Sequence, residues 1–151
     1  MARLKSKELD VIACDIETSG FYADDDLLGI VFGISEDTSI YVNTRGWDDK
    51  VIRGFLKEVN TINSELIFHN SLFDSAFTGI RYGVPLKVQH DTLIIYHTLL
   101  THRQYYTQGL GLKDLTRDLT SLGDYEKQLD DFKKEYKKVN KVKASDFSYA
   151  M

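Results

Sequence analysis

The chain holds one cysteine, Cys14, and one proline, Pro85, among 151 residues. A lone thiol excludes an intrachain disulfide and any metal site built from cysteine alone, and it suits a reducing cytoplasm. Long apolar runs are missing too. Nothing approaches the ~20 consecutive apolar residues of a membrane span, and residues 1–8 lack the apolar stretch of a signal peptide. The expectation is a soluble cytoplasmic protein with no membrane partner. Positive charge is not in excess, since the net charge is −4, so the uniformly basic surface of many nucleic-acid binders is excluded. Such a partner is still compatible with the balance, because carboxylates gathered to hold metal are themselves negative. Gly109 and Gly111 lack the lysine and following serine or threonine of a phosphate-cradling loop. What is present is a hydrophobic content of 42%, enough for one α/β domain with a core.

The most informative stretch is Asp15-Ile16-Glu17-Thr18, at the end of an apolar run over 9–16 that is broken before Asp15 only by Asp10. On a strand, residues two apart share a face, so Asp15 and Glu17 stand together at the end of a strand of core residues. Like charges so placed repel unless something binds them; the alternative is a strand that runs out into solvent. Cys14 reads as a small buried core residue. A second signal follows the short apolar run 66–68: His69-Asn70-Ser71-Leu72-Phe73-Asp74. Asn70 and Asp74 are four apart in what reads as the first turn of a helix, on one ridge. A carboxylate there also suits the positive end of a helix without any metal. Together the two stretches supply three carboxylates and a carboxamide, oxygen ligands of the kind that hard divalent cations take.

The remaining pattern is that of an α/β domain. Segments 10–17, 28–35 and 39–42 read as three antiparallel strands at the N-terminus, followed by a surface helix over 47–60 with Val51, Ile52, Phe55, Leu56 and Val59 inward. Leu66 opens another strand; in 71–82, Leu72, Phe73, Ala76, Phe77 and Ile80 make the expected buried stripe, with Asn70 and Asp74 at its edge. Asp91 reads as the N-cap of a helix over 92–100, which is apolar almost all round and therefore expected to be central to the core. Leu112, Leu115, Leu119 and Leu122 share a face, and Tyr125, Leu129, Phe132 and Tyr136 continue it. Asp24, Asp25 and Asp26 read as a solvated loop. The lysine-rich segment 133–143 is the most basic part of the chain, either a solvated face or a surface along a phosphate backbone.

Asp15-Ile16-Glu17-Thr18 and His69-Asn70-x-x-Phe73-Asp74, in this order and spacing, resemble the first two motifs of the DEDD 3′–5′ exonucleases, in particular the proofreading domain of family A DNA polymerases. Val88-Gln89-His90-Asp91-Thr92-Leu93 and Gly111-Leu112-Lys113-Asp114-Leu115 extend the likeness over nearly the whole chain. The resemblance implies a ribonuclease H-like fold, a mixed sheet opening with an antiparallel three-stranded unit and flanked by helices. It implies hydrolysis of single-stranded DNA from the 3′ end with two divalent ions, Mg²⁺ or Mn²⁺, held by Asp15, Glu17 and Asp74 as catalytic residues. Thr18, Phe21 and Asn70 would contact substrate, Phe21 against the terminal base; the other reading of Phe21 is loop packing. The family's final Y-x-x-x-D does not occur after Asp91. The expectation is a single exonuclease-like domain over 1–151 that lacks its last helix. It would be a piece of a polymerase or exonuclease whose polymerase domain or missing C-terminal segment lies elsewhere. Two alternatives stand beside it: an enzyme whose site is completed by Asp146 or a second subunit, and a non-catalytic module that binds DNA ends or a partner protein.

Overall fold

The computed structural model of the chain describes residues 9–22, 24–100, 109–123 and 127–140. Tyr105, Tyr106, Tyr125, Lys141, Lys143 and Asp146 lie outside the described residues, as do the side chains of Leu129, Lys133 and Lys137. The chain forms two compact units, one through Leu99 and the other from Leu100.

The first unit contains a five-stranded sheet. β1 (Val11–Thr18) alternates as its sequence requires: Ile12, Cys14 and Ile16 are buried, while Val11, Ala13, Asp15 and Glu17 face outward. β2 (Leu27–Gly33) and β3 (Ser39–Asn43) pair antiparallel to it, with Cys14 opposite Phe32 and Ile16 opposite Ile30. β4 (Glu65–Phe68) and β5 (His90–Asp91) run parallel to β1, giving the order β3-β2-β1-β4-β5. Glycine is needed at Gly29, where a Cβ would run into the ring of Tyr41. The pairing of β4 with β1 ends at Ala13 opposite Ile67, so the last residues of β1 pair with β2 alone.

α1 (Asp49–Val59) starts at Asp48, whose carboxylate accepts from the amides of Lys50 and Val51 at 2.9 and 3.0 Å. Ile52, Leu56 and Val59 point into the core as the period predicts; Val51 is exposed, and Phe55 is half-buried edge-on to Trp47. α2 (Ser71–Tyr82) ends at Gly83 with φ 70°. Its inward face differs from the expected stripe. Ser71, Asp74, Phe77, Thr78 and Tyr82 are buried, whereas Leu72 and Ile80 are 78% and 71% exposed and Ala76 is exposed as well. The inversion is possible because the inward polar groups satisfy one another. Thr78 Oγ1 donates to the Asp74 carbonyl at 2.8 Å and accepts from the Leu86 amide at 3.1 Å. Tyr82 Oη accepts from the Leu27 amide at 3.0 Å.

α3 (Thr92–Leu99) also departs from expectation. None of its residues is buried, and Ile94 and Leu99 are 58% and 73% exposed. A helix apolar on all sides has no preferred inward face. In the second unit, α4 (Leu112–Leu119) buries Leu115 and Thr116 but exposes Leu112 and Leu119, and Leu122 beyond it is exposed; in α5 (Lys127–Asn140) Phe132 is exposed beside Tyr136. Among the described residues, no helix is long and apolar enough to cross a membrane.

Candidate active site

The site is built where β1 outlasts β4. Asp15 and Glu17 stand on the outward face of β1. Just after them the β1–β2 register shifts: Glu17 lies opposite Gly29 but Thr18 opposite Leu27, a bulge that ends the alternation. Thr18 is half-buried and its hydroxyl donates to the Gly20 carbonyl at 2.7 Å, turning the chain into the loop between Ser19 and Asp26.

Asp74 enters from α2 and is almost wholly buried, at 3% exposure. Its Oδ1 accepts from the Ile16 amide at 3.2 Å, a donor on the stretch of β1 that β4 does not reach. Burial, and next the charge of Asp15, push the Asp74 carboxyl up to about 7. Burial raises Asp15; partial burial and then Asp15 raise Glu17. Cys14, beneath them, is pushed up to about 12 by burial and then by Asp74 and Asp15, so it stays a neutral core thiol.

None of the three carboxylates takes part in an ion pair among the described residues. Asp15 thus lies within the field of both Glu17 and Asp74. Among the described residues, however, no three His, Cys, Asp or Glu side chains converge closely enough to hold one ion between them. The donor set still fits a hard divalent cation, since Mg²⁺ is commonly held by one or two carboxylates with water completing its shell. Uncompensated, mutually elevated carboxylates are what such a cation relieves.

Asn70 sits at the junction of β4 and α2 with φ 62° and ψ 48°, the one non-glycine residue with positive φ among those described. Its side chain is exposed and caps nothing. The capping is done by Asp91, which accepts from the Asn70 amide at 3.1 Å and from the Ser71 amide and hydroxyl at 2.8 and 2.7 Å. The same carboxylate caps α3 through the amides of Leu93 at 2.9 Å and Ile94 at 3.4 Å. Burial acts to raise its pKa, but these donors outweigh burial and hold it below the usual range. The role of Asp91 at α3 is the one its sequence predicts; its role at α2 has no local signal, because the partners are 20 and 21 residues away.

Phe21 is 85% exposed and meets Phe73 edge-on, with ring centroids 5.9 Å apart. With Tyr22, Ala76, Phe77 and Ile80 these two rings line an apolar cleft of about 120 Å³. Of the stripe that the sequence places in the core, Phe77 is buried there and Phe73 packs against it, whereas Ala76 and Ile80 are exposed, and the cleft they line with the loop has no signal in the helical spacing. The aspartates of the loop are not simply solvated: Asp25 accepts from the Tyr22 amide at 2.7 Å and from Ser19 Oγ at 3.3 Å.

Comparisons with known proteins bear on the family and the fold. A family model described as a 3′–5′ exonuclease, that of the DNA polymerase A type, matches residues 1–150. The DNA polymerase of Escherichia phage T5 is 32% identical over 141 residues, 91% of this chain but 16% of the polymerase, so the chain spans about a sixth of that relative. Among solved structures, one described as the apo form of the nuclease superposes with a TM-score of 0.65 at 21% identity, covering 85% of this chain and 60% of that one. Brucella melitensis NrnC bound to pGG superposes at 0.59 and 24% identity, over 77% and 55% of the two chains. At such identities the superpositions establish the fold, which is ribonuclease H-like.

Proposed function

The chain belongs to the 3′–5′ exonuclease family of the DNA polymerase A type, and on that premise we propose that it shortens single-stranded DNA from the 3′ end, releasing nucleoside monophosphates. The observation that carries this reading is the set of Asp15, Glu17 and Asp74, whose pKa values are all raised and which have no compensating cation among the described side chains. A fold with no ligand to hold has no physical need of such a cluster. Asp15, Glu17 and Asp74 would hold the divalent ions. Bound there, Mg²⁺ or Mn²⁺ supplies an activated water and stabilisation of the departing 3′-oxygen.

The protein's own groups do the positioning. Asp74 is fixed by the Ile16 amide through Oδ1. Asn70 presents its uncommitted carboxamide beside the scissile phosphate. The rings of Phe21 and Phe73 offer a face and an edge to the last base, a contact that tolerates any base because each has a π-face. Thr18 holds the turn that delivers Phe21. The long curated relative is a polymerase, and the fitting role is proofreading of ends made by a polymerase domain on the same or another chain. A second reading, an exonuclease fold that grips a DNA end without cutting it, draws on the lack, among the described residues, of a three-carboxylate set at ligand distance.

Digestion of 5′-labelled single-stranded DNA in Mg²⁺, Mn²⁺ and EDTA decides between them. The expected result is a metal-dependent ladder shortening from the 3′ end, reduced about 10²-fold or more by Asp15→Ala and by Asp74→Ala. Binding without cleavage in any metal selects the second reading.

A further inference from the structure

The apolar cleft is only as useful as the loop that forms one wall, and that loop is tethered by one side chain. Arg81, in the last turn of α2, is half-buried, with 22% of its side chain exposed. Its guanidinium makes a fork on Asp49 of α1, Nη1 to Oδ2 at 2.8 Å and Nη2 to Oδ1 at 3.2 Å. Nε donates to the Asp25 carbonyl at 3.2 Å, Nη2 lies 3.7 Å from Asp26 Oδ1, and the group stacks 4.8 Å above the Tyr82 ring. One planar cation therefore joins α1, α2 and the loop. The loop is otherwise closed on itself: Ser19 N to Asp26 O at 2.9 Å, Asp26 N to Ser19 Oγ at 2.9 Å, and Asp25 on the Tyr22 amide. So a hold on Asp25 and Asp26 is transmitted to Phe21 and Tyr22 as a unit.

We infer that Arg81 is a positioning residue for the strand-end cleft: by pinning the Asp25–Asp26 limb to Asp49 it keeps Phe21 against Phe73, and so sets how well a terminal base is held. This rests on the exonuclease reading for its substrate. The tether itself is a property of the fold. A fork of this kind depends on the planar geometry that lysine does not share, which makes Arg81→Lys as informative as Arg81→Ala.

Two measurements on the full chain test it. In steady-state digestion of a 5′-labelled single-stranded oligonucleotide with Mg²⁺, Arg81→Ala should raise KM about tenfold and Arg81→Lys several-fold, with kcat changed less than about twofold. Combined with Phe21→Ala, Arg81→Ala should add little further, as expected of two changes acting on one element. A fall in kcat at constant KM, or full additivity, overturns the inference. Independently of any nuclease activity, brief chymotrypsin treatment well below the melting temperature should cut after Phe21 or Tyr22 about tenfold faster in Arg81→Ala. Cutting there that only keeps pace with global unfolding overturns the tether. If the unsubstituted chain cuts no DNA in either metal while the proteolysis behaves as stated, the exonuclease reading fails, the link to substrate falls with it, and the tether stands.

Discussion

Two buried carboxylates on the same framework live in opposite electrostatic worlds. Asp91 and Asp74 are 8% and 3% exposed; Asp91 caps the N-terminal end of α2, and Asp74 stands in its first turn. Asp91 is surrounded by donors, four amides and a hydroxyl, and its pKa is lowered. Asp74 has only the amides of Ile16 and of its own residue against burial and the like charges of Asp15 and then Asp91, and its carboxyl is pushed up to about 7. Burial alone does not tell a structural carboxylate from one held for chemistry; the count of donors against charges of the same sign does.

Several measurements would sharpen or break this contrast. The largest effect belongs to the donor-rich side. Asp91→Ala strands several buried donors at once and should lower stability by about 3 to 5 kcal/mol in urea unfolding; a loss below 1 kcal/mol would mean that the two helix starts do not depend on it. On the other side, removing charge should help. Asp74→Asn keeps an oxygen for the Ile16 amide and discards a carboxylate whose folded pKa, about 7, lies above the ordinary aspartate value of 3.8. A raised acid pKa means that the folded state binds the proton more tightly, so native stability falls as pH climbs from about 4 to 7 and is flat above. Asp74→Asn should therefore gain about 2 to 4 kcal/mol at pH 8 and nothing at pH 4. A gain that is independent of pH would remove Asp74 from the coupled cluster.

A divalent cation should act on the same side and in the same direction. Mn²⁺ at 100 times its dissociation constant should stabilise the unsubstituted chain at pH 8 by about 2.7 kcal/mol. Asp15→Ala should abolish that gain; an intact gain in this variant would put the ion elsewhere. The smallest effect returns to Asp91. Ser71→Ala removes one hydroxyl donor of five and should cost about 1 to 2 kcal/mol, with the pH dependence of stability above pH 6 unaltered.

The contrast also explains what could be read from the sequence. β1 and its hairpin were legible because alternation has one solution: Ile12, Cys14 and Ile16 in, Asp15 and Glu17 out. Asp15 and Glu17 could be singled out for the same reason, as charges placed where a core pattern ends; Asp74 was legible only through its spacing from Asn70 and the family resemblance. The inward face of α2 was not legible. Choosing Leu72, Ala76 and Ile80 follows hydrophobicity, whereas the fold turns Ser71, Asp74 and Thr78 inward because Asp91, Ile16 and Leu86, distant in sequence, supply their partners. α3 failed for the opposite cause: composition without period carries no direction. The cleft at Phe21 and Phe73 exists only once α2 is turned this way.

Cys14 gives the molecule a built-in clock. It is the one thiol of the chain, it sits on the strand flanked by β2 and β4, and at a pKa of about 12 it carries almost no thiolate while folded. An alkylating reagent therefore reacts with it only when the centre of the sheet opens. The rate of labelling would count those openings directly, without any introduced probe. Because Cys14 precedes Asp15 on the same strand, a cation that settles on the carboxylates would slow the count in proportion to its hold.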